Sequence, residues 1–156
     1  MKVNPGRRQL LSGGVLAGAA AAASTLATPA IAQSSPSVRW RLTSGFPNNL
    51  DTIYGGAVVM ANALRAITGG KFDIQVFQAG EIVPGAQAID AVKANTVEIS
   101  HTCGYYFTGK DPTFAIGSTI PFGLNARQQN AWLYHGGGNE AYNEFLSDYG
   151  VIGIPG

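Results

Sequence analysis

Cysteine is almost absent from this chain: Cys103 stands alone among 156 residues. No internal disulfide can form, so the fold is not a disulfide scaffold in any compartment. Histidine is nearly as scarce, with only His101 and His135. His101-Thr102-Cys103 offers two metal-ligating side chains, too few for a zinc site. The simpler expectation for Cys103 is burial at a strand end. Positive charge is also short. From Gln33 onward seven Lys and Arg stand against nine Asp and Glu, a net charge of −2. No basic patch survives there, so nucleic acid is not expected as a partner. No serine is flanked by glycine two residues away on both sides. The nucleophile elbow of α/β hydrolases is therefore missing from these residues.

The apolar material is concentrated at the start. Lys2, Arg7 and Arg8 precede an uncharged run from Leu10 to Ala27, and Ala30-Ile31-Ala32 closes it. A basic start, an apolar centre and an A-x-A site form a signal peptide over residues 1–32, with a mature chain beginning at Gln33. The pair Arg7-Arg8 before Gln9-Leu10-Leu11 has the form of a twin-arginine export signal, which predicts a periplasmic protein. The remaining 124 residues suffice for one small domain with its own core.

Periodicity then gives the order of elements. Val38 to Thr43 predicts a strand, and Ser44 to Asn49 is turn chemistry. Ile53, Ala57, Met60, Ala61, Leu64 and Ile67 share one face of a helix, with Asn49 or Asp51 as its cap. Thr68-Gly69-Gly70 stops it. Phe72 to Phe77 alternates as a second strand. Pro84 suits the first turn of a short helix carrying Ala86, Ile89, Ala91 and Val92. Val97 to His101 predicts a third strand. This β-α-β-α-β order predicts an α/β fold with a mostly parallel sheet. Gly104 to Leu124 has five aromatic residues and no clean period, so it reads as a long aromatic loop with one helical turn near Pro112. Ala126 to Tyr134 and Asn139 to Tyr149 predict two helices, the second capped by Asn139. Val151 to Ile154 predicts the start of another strand, which suggests a longer parent protein.

Several stretches together resemble the periplasmic solute-binding subunits of tripartite ATP-independent periplasmic (TRAP) transporters, the DctP-like family. They are Arg39-Trp40-Arg41-Leu42 with Phe46-Pro47, Thr68 to Phe72, Val76 to Pro84, Val97 to His101, Gly104-Tyr105-Tyr106, Lys110-Asp111-Pro112 and Ile120 to Leu124. They span nearly all of the chain after residue 32, and the set looks closest to the branch that binds 2-oxo acids such as pyruvate. The resemblance implies a periplasmic-binding-protein-like architecture of two lobes closing on a small carboxylate. Residues 33–156 would be the N-terminal part, mostly the first lobe, with the second lobe outside this chain. It implies a receptor rather than an enzyme. Its partners would be the membrane subunits of a TRAP transporter, with a homodimer also open. No cofactor is expected on the residues present. In the family an arginine that clamps the carboxylate, and a cation (sodium or calcium) held with the substrate, belong to residues further downstream.

Ligands of open α/β sheets bind beyond the carboxyl ends of strands. That singles out Tyr105 and Tyr106, each an apolar face with a hydroxyl donor. Phe46 is a candidate wall, and Asn49 a candidate contact or, alternatively, the helix cap. Glu81 reads as a solvated loop carboxylate. Trp40 and Trp132 read as core. One competing reading remains. His135-Gly136-Gly137-Gly138 resembles the oxyanion loop of an exported α/β hydrolase-like enzyme, which would need a preceding strand.

Overall fold

The computed structural model describes residues 36–156, apart from residue 119. The predicted export segment over residues 1–32 lies outside the described residues. Three parallel strands form the sheet in the order β2-β1-β3, with β1 (Val38–Ser44) between β2 (Phe72–Phe77) and β3 (Ile99–His101). Each crossover carries a helix, α1 (Asp51–Ile67) and then α2 (Ala88–Lys93). A parallel sheet requires such crossovers, so the α/β prediction stands as an α/β lobe.

One cluster seals α1 to the sheet. Leu42, Ala57, Ala61 and Ile74 are buried, with Leu64, Phe72, Val76 and Ile99 packed around them. Two alanines at i and i+4 let the helix approach closely. The predicted face was wider: Ile53 is 45% exposed and Ile67 79%. The reason is length. A helix of 17 residues spans about 25 Å, strands of six or seven about 20 Å, so both helix ends overhang. Trp40, expected in the core, is 37% exposed and meets Phe72 edge-on at 4.9 Å. It lies in the amino-terminal half of β1, beside Ile74 of β2.

The second cluster was not anticipated. Ala88, Ile89, Phe107, Phe114 and Leu146 are buried together, against Tyr142, Phe145, Tyr149 and Val151. Phe107 and Phe114 come from the aromatic segment, which is not a loose loop but two 3₁₀ turns, Gly104–Phe107 and Pro112–Gly117. Asp111 caps the second turn by accepting the Thr113 N–H at 2.8 Å. Leu146 comes from α4 (Gly138–Ser147), which follows α3 (Ala126–His135).

Three further expectations need correction. The cap of α1 is Leu50, with no side-chain hydrogen bond, so neither Asn49 nor Asp51 caps it. The Leu50 N–H bonds the Pro47 carbonyl at 3.2 Å, and this turn leads directly into the helix. The cap of α4 is Gly137 rather than Asn139. Gly137 has φ of 79°, and a side chain at Gly138 would stand 2.5 Å from the Trp132 ring. The three glycines therefore let a half-buried tryptophan sit in the helix-helix joint, and no strand precedes them as an oxyanion loop requires. Val151 to Ile154 forms no strand. Instead Gly153 is held by Asn143, which accepts its N–H at 2.6 Å and donates to its carbonyl at 2.9 Å. Among the described residues no helix is long and apolar enough to cross a membrane.

Candidate functional site at the carboxyl edge of the sheet

The register of the sheet decides what meets at its carboxyl edge. Ser44 lies opposite His101, and Thr43 opposite both Phe77 and Ser100. The chain beyond β1 is tied to both neighbours: Gly45 N–H donates to the His101 carbonyl at 2.8 Å, and Ala79 N–H to the Phe46 carbonyl at 3.0 Å. Gly45 also lies directly against Gly85, where an added Cβ would stand 2.9 Å from the Gly45 carbonyl oxygen. Side chains are excluded from both positions, so the backbone floor of the edge is dense.

Aromatic rings stand on this floor. Phe46 is 3% exposed and meets His101 at 5.2 Å and Tyr106 at 5.9 Å between ring centroids. Tyr106 meets Tyr105 edge-on at 4.8 Å. The tyrosines are 39% and 43% exposed, so they present surface outward. The predicted trio is therefore a stack: Phe46 supports and the tyrosines face out. Tyr105 is pushed up to about 12 by the Cys103 side chain beside it, then by desolvation, so its hydroxyl remains a donor at neutral pH. Cys103 itself is half-buried rather than sealed at the strand end. Asn49 is exposed on the loop after β1. Glu81, read as a solvated carboxylate, closes a turn by accepting the Gln78 N–H at 3.1 Å, while Gln78 accepts the Asn48 N–H at 3.1 Å.

Three polar residues at this edge were not singled out for binding from the sequence. Ser44 is wholly buried and its Oγ lies 3.3 Å from His101 Nδ1. Burial pushes His101 below its ordinary value, so its ring is neutral at pH 7. Thr102 buries a hydroxyl that finds no hydrogen-bond partner among the described residues. The available signal was the register itself, since polar residues ending two adjacent parallel strands must face one another. Among the described residues no three His, Cys, Asp or Glu side chains gather to hold a metal. A hard cation such as sodium or calcium takes oxygen ligands, carboxylates above all, and the edge offers a single carboxylate, Glu81, which already accepts the Gln78 N–H, beside hydroxyls, amides, an imidazole and a thiol. These residues alone do not fit a cation.

A surface pair adds to the backbone ladder that joins β3 to β1. Glu98, just before the strand, accepts the Arg41 backbone N–H at 2.7 Å and two guanidinium contacts at 2.9 and 3.4 Å. These bonds hold its carboxyl down to about 2. A depressed carboxyl stabilises the fold above its unfolded value, and that support is lost as pH falls from about 4.5 toward 2. Acid unfolding of Glu98→Gln in the full-length gene product should therefore have a shallower slope across this window than wild type. Identical acid limbs would show the pair to be dispensable.

Residues 43–155 match the family model described as bacterial extracellular solute-binding protein, family 7. A monocarboxylate 2-oxoacid-binding periplasmic protein of Nostoc sp. is 48% identical over 120 residues, covering 77% of this chain and 33% of that protein. A TRAP transporter solute-binding protein of Bordetella bronchiseptica, crystallised as a mixed-occupancy dimer with copurified calcium and picolinate, superposes with a TM-score of 0.74. Its identity is 42%, covering 76% of this chain and 35% of that one. A TRAP periplasmic solute-binding protein of Pseudoalteromonas atlantica, solved with bound sodium and pyruvate, gives 0.71 at 33% identity, covering 77% and 36%. The chain thus spans about a third of the length of these relatives.

Proposed function

The chain belongs to the bacterial extracellular solute-binding proteins of family 7, and from that premise we propose that it forms the first lobe of a periplasmic receptor delivering a small organic acid, of the 2-oxo acid class, to a TRAP transporter. One observation carries the reading. The carboxyl edge of the parallel sheet bears an uncharged aromatic wall, with Tyr105 and Tyr106 outward and Phe46 behind them. Such a wall suits the short carbon skeleton of a 2-oxo acid and supplies hydroxyl donors to its oxygens. It carries no cation of its own, so the charge that balances the carboxylate comes from the opposing lobe of the full-length protein. Asn49, on the exposed loop after β1, belongs to this reading as a peripheral contact. A cation bound with the acid also belongs to it, supported by the calcium and sodium in the two solved relatives and held outside the residues described.

Export by the twin-arginine route and residence in the periplasm are part of the same proposal, supported by Arg7-Arg8 and by the Nostoc relative's name. So are the membrane subunits of the transporter as partners and a homodimer, the latter supported by the dimeric Bordetella protein. Nothing in this reading requires catalysis. The helix-helix joint at His135 removes the one feature that recommended a hydrolase.

A thermal-melt screen of the full-length protein against short 2-oxo acids tests the reading. A ligand at a thousand times its Kd stabilises by about 4 kcal/mol, an unmistakable shift. Indifference to every small carboxylate overturns it. By calorimetry, Tyr105→Phe and Tyr106→Phe should each weaken binding by about 0.5–1.5 kcal/mol where a hydroxyl hydrogen bond is lost. Unchanged affinity in both variants would remove the phenol hydroxyls from the site.

A further inference from the structure

We propose that His101 is a ligand-binding residue of this cleft, fixed by Ser44 in the tautomer that carries its proton on Nε2 and offers that N–H to an oxygen of the bound acid. The proposal deepens the receptor reading and rests on it. It begins with hydrogen-bond accounting at Ser44. The Phe46 N–H donates to Ser44 Oγ at 3.1 Å, so that oxygen already serves as an acceptor. Ser44 is fully buried, so water is not available to take its own proton. His101 Nδ1, 3.3 Å away, is placed to accept it. A neutral imidazole has one donor and one acceptor nitrogen. With Nδ1 accepting, the proton resides on Nε2.

The ring is held as well as polarised. His101 packs edge-on against buried Phe46, and its carbonyl is fixed by the Gly45 N–H at 2.8 Å. Its backbone and Nδ1 are thus tied to the chain that ends β1. Nε2 lies on the other side of the ring, directed away from Ser44, and has no hydrogen-bond partner among the described residues. The residue is only half-buried. An oriented, unspent N–H stands beside the pair that already contacts Phe46, Tyr106 and through it Tyr105. Three neutral donors on one wall can bind a carboxylate or keto oxygen without adding charge, and each rigid donor spares the entropy of ordering a longer side chain. Burial keeps His101 uncharged, in agreement with a donor role that does not require an imidazolium.

A purely structural histidine would also bond Ser44, so the test must separate the two ring nitrogens. In the full-length protein, His101→Asn retains an amide group near Nδ1 and loses the outward donor. His101→Gln places its amide near Nε2 and retains it. With pyruvate as the probe in calorimetry, His101→Asn should lose about tenfold to a hundredfold in affinity, with its melting temperature little changed. His101→Gln should stay within about threefold to fivefold. The reverse order, with Asn binding as wild type and Gln unstable, makes the residue structural and overturns the proposal. Imidazole ¹⁵N spectra of the wild type give an answer even where a variant fails to fold. The Nε2–H tautomer, with that resonance moved by pyruvate, is expected. The Nδ1–H tautomer, or a signal indifferent to pyruvate, sinks the idea. A wild type that binds pyruvate while His101→Asn binds equally well refutes this proposal alone. A wild type that binds no small carboxylate refutes the receptor reading, and this proposal with it.

Discussion

Phe114→Ala in the full-length protein should cost about 3–5 kcal/mol, seen as a lower urea midpoint, and should weaken ligand binding as well. Phe114 is completely buried. Its ring lies 5.6 Å from Phe107, 4.9 Å from Phe145 and 4.8 Å from Tyr149, so three other aromatic side chains would line the hole. Rings that interlock this way cannot collapse inward without breaking their own contacts, which puts the loss at the upper part of the range. The coupling to binding follows from chain connectivity. Phe107 ends the same 3₁₀ turn that carries Tyr105 and Tyr106, so loosening Phe107 unfixes the tyrosines. Phe114→Leu keeps most of the volume and should cost less than half as much. A Phe114→Ala midpoint within about 1 kcal/mol of wild type would mean that this cluster does not hold the segment.

Gly104→Ala is the second large effect. Gly104 precedes the tyrosine pair, and its N–H donates to Ser118 Oγ at 2.7 Å. A methyl group there would overlap the Phe114 carbonyl oxygen and stand 2.9 Å from Tyr142 Oη. The first obstacle is backbone belonging to the buried turn, so it cannot swing aside like a side-chain tip. Overpacking of this kind costs about 1–3 kcal/mol, and the relief available is displacement of residues 104–107. The expected result is a drop in stability together with loss of affinity for a 2-oxo acid. Gly109→Ala is the matched control. Nothing lies within 4 Å of a Cβ placed there, and its cost should stay within about 0.5 kcal/mol. Equal behaviour of the two variants would contradict the close approach at Gly104.

Both effects arise in the segment where sequence reading was weakest. Residues 104–124 lack helical or strand periodicity because 3₁₀ turns bury one ring at a time, and single rings have no repeat to detect. The same segment supplies the site's outward tyrosines and the inward Phe107 and Phe114. Nothing local to Tyr106 and Phe107 distinguishes them; the difference is which way a four-residue turn faces once the second 3₁₀ turn packs on it. The caps show the same limit. Asn125 caps α3 in a reciprocal pair with Gln128, as residue preference would suggest. Asn49 and Asn139 have the same chemistry, but a turn and a seated tryptophan took the cap positions from them.

The β-α-β-α-β order and the parallel sheet were legible in the residues alone. Those follow from period, glycine stops and the rule that parallel strands need crossovers, all of which are local or topological. Only packing between distant segments set Phe46 behind the outward tyrosines, brought Ser44 against His101, and buried Phe107 and Phe114 of an apparent loop in the second cluster. These depend on register and on packing between segments tens of residues apart, and a side chain's role there is set by what covers it, which no local pattern encodes.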